Sequence, residues 1–303
     1  MKKLKGVAGC CIACLGFSHD AIAQFIKFND IQNSIQAAAA LHSSEDKVLG
    51  YGANSNRLET YRFQHEHDYN LGSTFFLYDR LHSNEPLGGP VFGPHNPAAF
   101  AYGPGNSSYF MVIGTELHAS RVFGFEPKTG FLRDWGVSGR IERGEYYKFK
   151  AEEIGPQIHL NVPGFDRFRV TSWYRWKSDT SGSAGQGGYD VGHQTDYRGS
   201  WLIGVDWRTS WKMLGFTWTS QAFLRYQVGD GGKADAHGSE NINGIPARVW
   251  FEPDIFMNIN KHVAVGLRDY FLWQSDAINN GYSALGRNSH HVPQVVLRLN
   301  LHF

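Results

Sequence analysis

The end of the chain alternates in character at every residue. Val295, Leu297, Leu299, Leu301 and Phe303 take every second place, and Gln294, Val296, Arg298, Asn300 and His302 fill the places between. Successive side chains of an extended backbone point to opposite faces, so this segment has one apolar face and one mostly polar face. The pattern recurs. In 214–228, Leu214, Phe216, Trp218, Ala222, Leu224 and Tyr226 oppose Thr217, Thr219, Gln221, Phe223, Arg225 and Gln227. In 167–177, Phe168, Val170, Tyr174 and Trp176 oppose Arg167, Arg169, Thr171, Trp173, Arg175 and Lys177. One such segment would suit the edge of a soluble sandwich. A series of them, one carrying an arginine ladder, predicts strands with hydrocarbon on one face and water on the other. Beyond residue 23 no apolar stretch reaches eighteen residues, which excludes a transmembrane helix as the means of crossing.

A strand in lipid needs a hydrogen-bonded neighbour on each side, so such a sheet has to close. Candidate strands fall near 30–42, 57–66, 71–80, 108–119, 131–142, 153–162, 165–177, 198–208, 213–228, 246–258, 261–274 and 293–303. The expected fold class is therefore all-β: a transmembrane antiparallel up-and-down β-barrel of about twelve strands. The connections 43–56, 81–107, 143–152, 178–197, 229–245 and 275–292 are longer and polar. The others are mostly short, as at Pro163-Gly164 and Asn258 to Lys261, with 120–130 the exception. An even strand count with long and short connections in turn places both termini on the short-turn, periplasmic side. Trp218 and Tyr226, like Phe168 and Trp176, lie eight residues apart on one face. At roughly 2.5 Å of axial rise per tilted residue that is about 20 Å, near the height of an apolar band between two aromatic girdles. Three places fit less well. Asp269 and His65 fall on apolar faces, and Ile35 to Ala40 suit a short helix as well as a strand.

Ahead of this region, Met1-Lys2-Lys3-Leu4-Lys5 is basic, Gly6 to Phe17 is apolar, and Ala21-Ile22-Ala23 offers small residues for cleavage. These features predict a cleaved signal peptide at 1–23 and one outer-membrane barrel domain at 24–303 in a Gram-negative cell. A lipoprotein signal at Val7-Ala8-Gly9-Cys10 would leave too little apolar sequence before the cysteine. Cys10, Cys11 and Cys14 all lie in the leader, so the expected mature chain has no thiol for a disulfide, a thiolate metal site or nucleophilic catalysis. Cleavage moves the formal charge from +1 to −1, which leaves no electrostatic footprint for nucleic acid.

The inward set comprises Arg62, Glu66, Glu116, His118, Arg140, Glu142, Arg169, Trp173, Arg175, Asp206, Phe223, Arg225, Arg248, Trp250, Glu252, Asp254, Arg268 and Tyr270. Those chosen as candidate channel-lining and solute-binding residues are Glu116, Arg140, Arg169, Trp173, Arg175, Asp206, Phe223, Arg225, Arg248, Glu252, Arg268 and Tyr270. Charges of both signs among aromatics suit a planar, uncharged polar solute, whereas a simple ion channel would carry rings of one sign. In a narrow barrel the same charges also pair with one another and fill the interior. The expected partners are outer-membrane lipid and a small polar solute, with no cofactor, no catalytic residue and no metal site. His65-Glu66-His67-Asp68 and His290-His291 each fix only two ligands, and His42-Ser43-Ser44 is a weak basis for an outer-membrane lipase or deacylase. A non-conducting receptor or adhesin working through loops 81–107 and 178–197 is the main alternative to a channel.

A terminal aromatic after an amphipathic strand resembles the C-terminal signature of outer-membrane barrels, which implies that barrel assembly machinery reads Phe303. More broadly, the order of strands and loops resembles the nucleoside-specific channel-forming barrels of the Tsx type. The likeness is carried by Thr115-Glu116, by Lys128-Thr129-Gly130 leading to Trp135, by Trp173-Tyr174-Arg175-Trp176, and by Val295 to Phe303. It implies twelve strands, a narrow lumen and passive uptake of nucleosides. The family's tryptophan-rich start is replaced here by Phe28-Asn29-Asp30-Ile31, so no site near the first strand carries over.

Overall fold

A computed structural model describes residues 28–40, 58–83, 107–125, 130–144, 150–179, 195–196, 199–228, 247–274 and 289–302. The predicted leader, Phe303, His42 to Ser44 and most of the six long connections lie outside the described residues.

Twelve long strands form the wall: β1 (Phe28–Ala40), β2 (Leu58–Tyr69), β3 (Gly72–Ser83), β4 (Ser107–His118), β5 (Leu132–Gly144), β6 (Lys150–Leu160), β7 (Arg167–Asp179), β9 (Ser200–Met213), β10 (Phe216–Gln227), β11 (Arg248–Asn258), β12 (Val263–Gln274) and β13 (Ser289–His302). A two-residue strand, β8 (Thr195–Asp196), extends the far end of β7. Neighbours in sequence pair antiparallel, with β7 against β9, and β1 pairs with β13 from Gln32–His302 to Ala40–Gln294. That last ladder closes the barrel. Residues Ile35 to Ala40 are strand, because Ala37 pairs with both Tyr61 and Leu297 and its backbone groups are used on both sides.

Alternation sets the faces as expected. Ile35, Phe63, Ile113, Ile141, Ile154, Ile255, Leu267, Val295, Leu297 and Leu299 stand exposed on the outer wall, with Leu267 57% accessible. Trp201 and Trp211 of β9 are both exposed on that wall, ten residues apart, which is about 25 Å of axial rise. His65 lies on the outer face near the β2–β3 turn, where its Nδ1 is 2.7 Å from Asn33 Oδ1 and its Nε2 2.8 Å from His67 Nδ1. Asp269 pairs in register with Pro293, so no bulge re-aims it.

Two details depart from the sequence reading. β9 continues past Arg208 to Met213, and the hairpin turns at Leu214-Gly215, where φ is 55° and 80°, not within 209–212. Within 120–130 a short helix, α1 (Ala119–Phe123), covers the short-turn end, and Arg121 donates to the carbonyls of Tyr69 and Gly72 at 2.7 and 2.8 Å. The inner face is not wholly polar. Ala38, Phe256, Ala264 and Val296 form a buried apolar knot, over which the Arg298 guanidinium stacks at 3.9 Å from the Phe256 ring.

β1 begins and β13 ends at the end that carries the short turns, since Phe28 pairs with Tyr69 and Gln32 with His302.

Candidate functional site: a barrel interior built of ion pairs

The inward side chains organise into three charged groups. The first gathers around Arg62 of β2, which donates to both oxygens of Asp79 on β3 at 2.7 and 2.8 Å and to Glu252 of β11 at 2.5 Å. Arg268 of β12 extends it, reaching Asp254 at 2.7 and 3.0 Å and the Gln36 side-chain carbonyl at 2.5 Å. Planar guanidinium groups suit this work, because a rigid fork of donors satisfies two carboxylates at once.

The second group centres on Glu142 of β5. Arg140 meets Glu142 at 2.8 Å and Glu153 at 2.5 Å, while Arg175 of β7 meets Glu142 at 2.7 Å and Glu153 at 3.1 Å. Arg225 of β10 comes to Glu142 from farther round the wall at 3.5 Å. Aromatic faces back these cations. Arg140 lies 4.7 Å and Arg225 5.7 Å from the Trp173 ring, Arg225 is 4.6 Å from Phe223, and Arg175 is 5.5 Å from Trp250. The Trp173 indole N–H donates to Ser138 at 2.7 Å.

The third group lies nearer the short-turn end. Arg169 pairs with Glu116 and, at 2.7 Å, with Asp206, and Arg167 stands 3.6 Å from both Asp206 and Glu66. His118 and His159 flank the same Glu116 carboxylate at 3.5 and 3.6 Å.

Strand order turns two of these contacts into struts across the lumen. Arg62–Glu252 joins β2 to β11, and Arg225–Glu142 joins β10 to β5, in each case four strands apart round a ring of twelve. Twelve strands spaced about 4.8 Å apart and tilted near 40° give a circular barrel a backbone radius of about 12 Å, which would hold strands four apart roughly 20 Å from one another. An arginine and a glutamate do not span that distance together. The cross-section is therefore flattened where they meet, and the two struts cross it in nearly parallel directions.

No family model matches the chain, and no curated protein does. Among solved structures, the chain is similar to the translocator domain of the autotransporter NalP from Neisseria meningitidis at 8% identity, covering 91% of this chain and 89% of that one, with a TM-score of 0.32. It is also similar to an anion-selective porin from Comamonas acidovorans (10% identity, 91% and 99% covered, TM-score 0.28) and to the outer-membrane protease OmpT from Escherichia coli (9% identity, 92% and 95% covered, TM-score 0.23).

The strand registers carry all twelve candidate residues on the inner face. Arg140, Trp173, Arg175 and Arg225 assemble on one side, Glu252, Arg268 and Tyr270 on another, and Glu116, Arg169 and Asp206 lower down; Phe223 stacks on Arg225, and Arg248 pairs in register with Gln227. The sequence reading missed Gln36, Asp79, Asp134, Glu153, Gln157, His159 and Arg298 as members of these networks. Glu153 and Gln157 alternate with Ile154 and Ile158 in β6, a signal that was present; Asp79 shares its inner face with Phe75 and Leu77, which hides it.

Proposed function

We propose that this chain is an outer-membrane barrel that passes a small, uncharged polar solute through a narrow lumen, and that it is neither a wide general pore nor an enzyme. The apolar outer wall with tryptophans about 25 Å apart fits a bilayer. The short-turn end then faces the periplasm, which agrees with export behind the expected signal peptide. One observation carries the solute class: the two ion-pair struts narrow the lumen, and their charges are matched. A matched wall attracts ions of neither sign, whereas the aromatic faces and charged edges around Trp173, Arg225 and Phe223 suit a flat ring bearing hydroxyls. Resemblance to the nucleoside-specific barrels makes a nucleoside the leading solute.

A second reading, a non-conducting receptor or adhesin, is favoured by the completeness of the same pairing, since the Glu153 side chain is 0% and the Arg268 side chain 2% accessible. Liposome swelling with nucleosides, sugars and amino acids of similar size separates the readings. Faster entry of nucleosides supports the channel as proposed, equal entry of all three indicates a general pore, and no entry favours the receptor.

A further inference from the structure

At the short-turn mouth three potential ligands converge from two strands. β4 contributes Glu116 and His118, which share the inner face, and β6 contributes His159. Between them β5 places Gly136, paired in register with His118 on one side and Gln157 on the other. A Cβ at Gly136 would run into the Leu117 carbonyl, so only glycine fits, and no side chain separates the two imidazoles. Their rings lie 4.7 Å apart.

Both Nε2 atoms are buried and lack a hydrogen-bond partner. They stand 3.5 Å (His118) and 3.6 Å (His159) from the same oxygen, Glu116 Oε2. One ligand atom from each of the three residues lies within 4.8 Å of the others. Ligands about 2.0–2.2 Å from a tetrahedral ion are about 3.3–3.5 Å from one another, so the carboxylate-to-imidazole spacings are near those of a formed site. The surroundings orient the ligands. Asp134 Oδ2 lies 3.4 Å from His118 Nδ1 and is held by the Ser120 hydroxyl at 2.5 Å, a carboxylate behind an imidazole. Arg169 occupies the other oxygen of Glu116, and Gln157 and Ser73 donate to Oε2 only at 3.3 Å. Two buried imidazole nitrogens without a hydrogen-bond partner are costly, and a cation between them relieves that cost.

We propose that Glu116, His118 and His159 bind a divalent transition cation of the zinc class at this mouth, with a fourth coordination position open to the lumen. Two imidazoles and a carboxylate favour such an ion over magnesium or calcium. The proposal stands whether or not the barrel conducts.

The test uses the refolded mature chain in detergent, without a polyhistidine tag and stripped with chelator, titrated with Co2+ by visible absorption and with Zn2+ by calorimetry. The expected result is one ion per barrel, with affinity at least 100-fold weaker in the His118→Ala/His159→Ala variant and unchanged in His65→Ala/His67→Ala, whose rings lie on the outer wall. Equal affinity in wild type and the His118→Ala/His159→Ala variant, or loss of binding in the His65→Ala/His67→Ala variant, overturns the site. If the first variant does not fold, X-ray absorption of the zinc-loaded wild type decides. Two imidazole ligands support the proposal, and one or none overturns it.

Discussion

Glu142 accepts three arginines, Arg140, Arg175 and Arg225, in a space where it is nearly inaccessible. Removing its charge strands cations that came inward to meet it, and breaking such a buried pair costs about 3–5 kcal/mol. Glu142→Gln is therefore expected to lower stability by about 3 kcal/mol in urea titrations of heat modifiability, and to shift the reversal potential in a salt gradient toward anions. Arg225→Ala should act differently. Its contact with Glu142 is 3.5 Å long and its side chain 21% accessible, so the stability change stays near 1 kcal/mol. Removing a strut should instead raise single-channel conductance above wild type. The facing of these residues was legible in the sequence, because an arginine ladder opposite Tyr174 and Trp176 leaves only one side for each. Their partners were not. Contact between β5 and β10 depends on how the sheet closes and flattens, which no local pattern encodes. In β6, Ile154 and Ile158 mark the outer face, so the inward side of Glu153, Gln157 and His159 was present in the alternation, but the groups they meet were not.

Strand existence followed from alternation, whereas strand ends did not. The pair Thr209-Ser210 is polar on both faces and so resembles a turn, yet it continues β9: both residues pair with β10, Thr209 donates to the Gly164 carbonyl at 2.5 Å and Ser210 to Asp166 at 2.7 Å across to the neighbouring turn. The true turn has Leu214 at φ 55°, 83% exposed, followed by Gly215. A left-handed backbone costs a leucine roughly 1 kcal/mol, and Asn-Gly is the favoured pair for two-residue hairpins with both residues at positive φ. Leu214→Asn should therefore raise the urea midpoint of the folded barrel by an amount equivalent to about 0.5–1 kcal/mol. The outer face of β12 provides a stricter test of what surrounds the barrel. Leu267, 57% exposed, sits mid-strand, and an arginine at the bilayer midplane costs about 2–4 kcal/mol. Leu267→Arg should lose about that much in lipid vesicles. An unchanged midpoint there would mean that this face meets water.

At the scale of the whole molecule, everything inside the wall depends on the seam between β1 and β13, the segments farthest apart in sequence. A barrel and a curled open sheet share most of their ladders and differ in this one. The seam holds an inward pair, Ala38 opposite Val296, which also forms half of the apolar knot with Phe256 and Ala264. Directly opposed residues of an antiparallel pair bring their Cβ atoms within about 4.5–5.5 Å, within modest adjustment of the roughly 3.5–4.5 Å a disulfide needs. The expected mature chain carries no cysteine, so an introduced pair has no competitor. Oxidation of Ala38→Cys/Val296→Cys should link the two ends, seen after proteolysis as one crosslinked fragment, and should raise the temperature at which the folded band is lost on a gel. Shifting one partner by a single residue, as Ala38→Cys/Val295→Cys, places the two thiols on opposite faces and should give no crosslink. Crosslinking in both variants would indicate a seam that slips. Crosslinking in neither would leave β1 and β13 as free edges, and the struts from β2 to β11 and from β5 to β10 would then have no closed ring to brace.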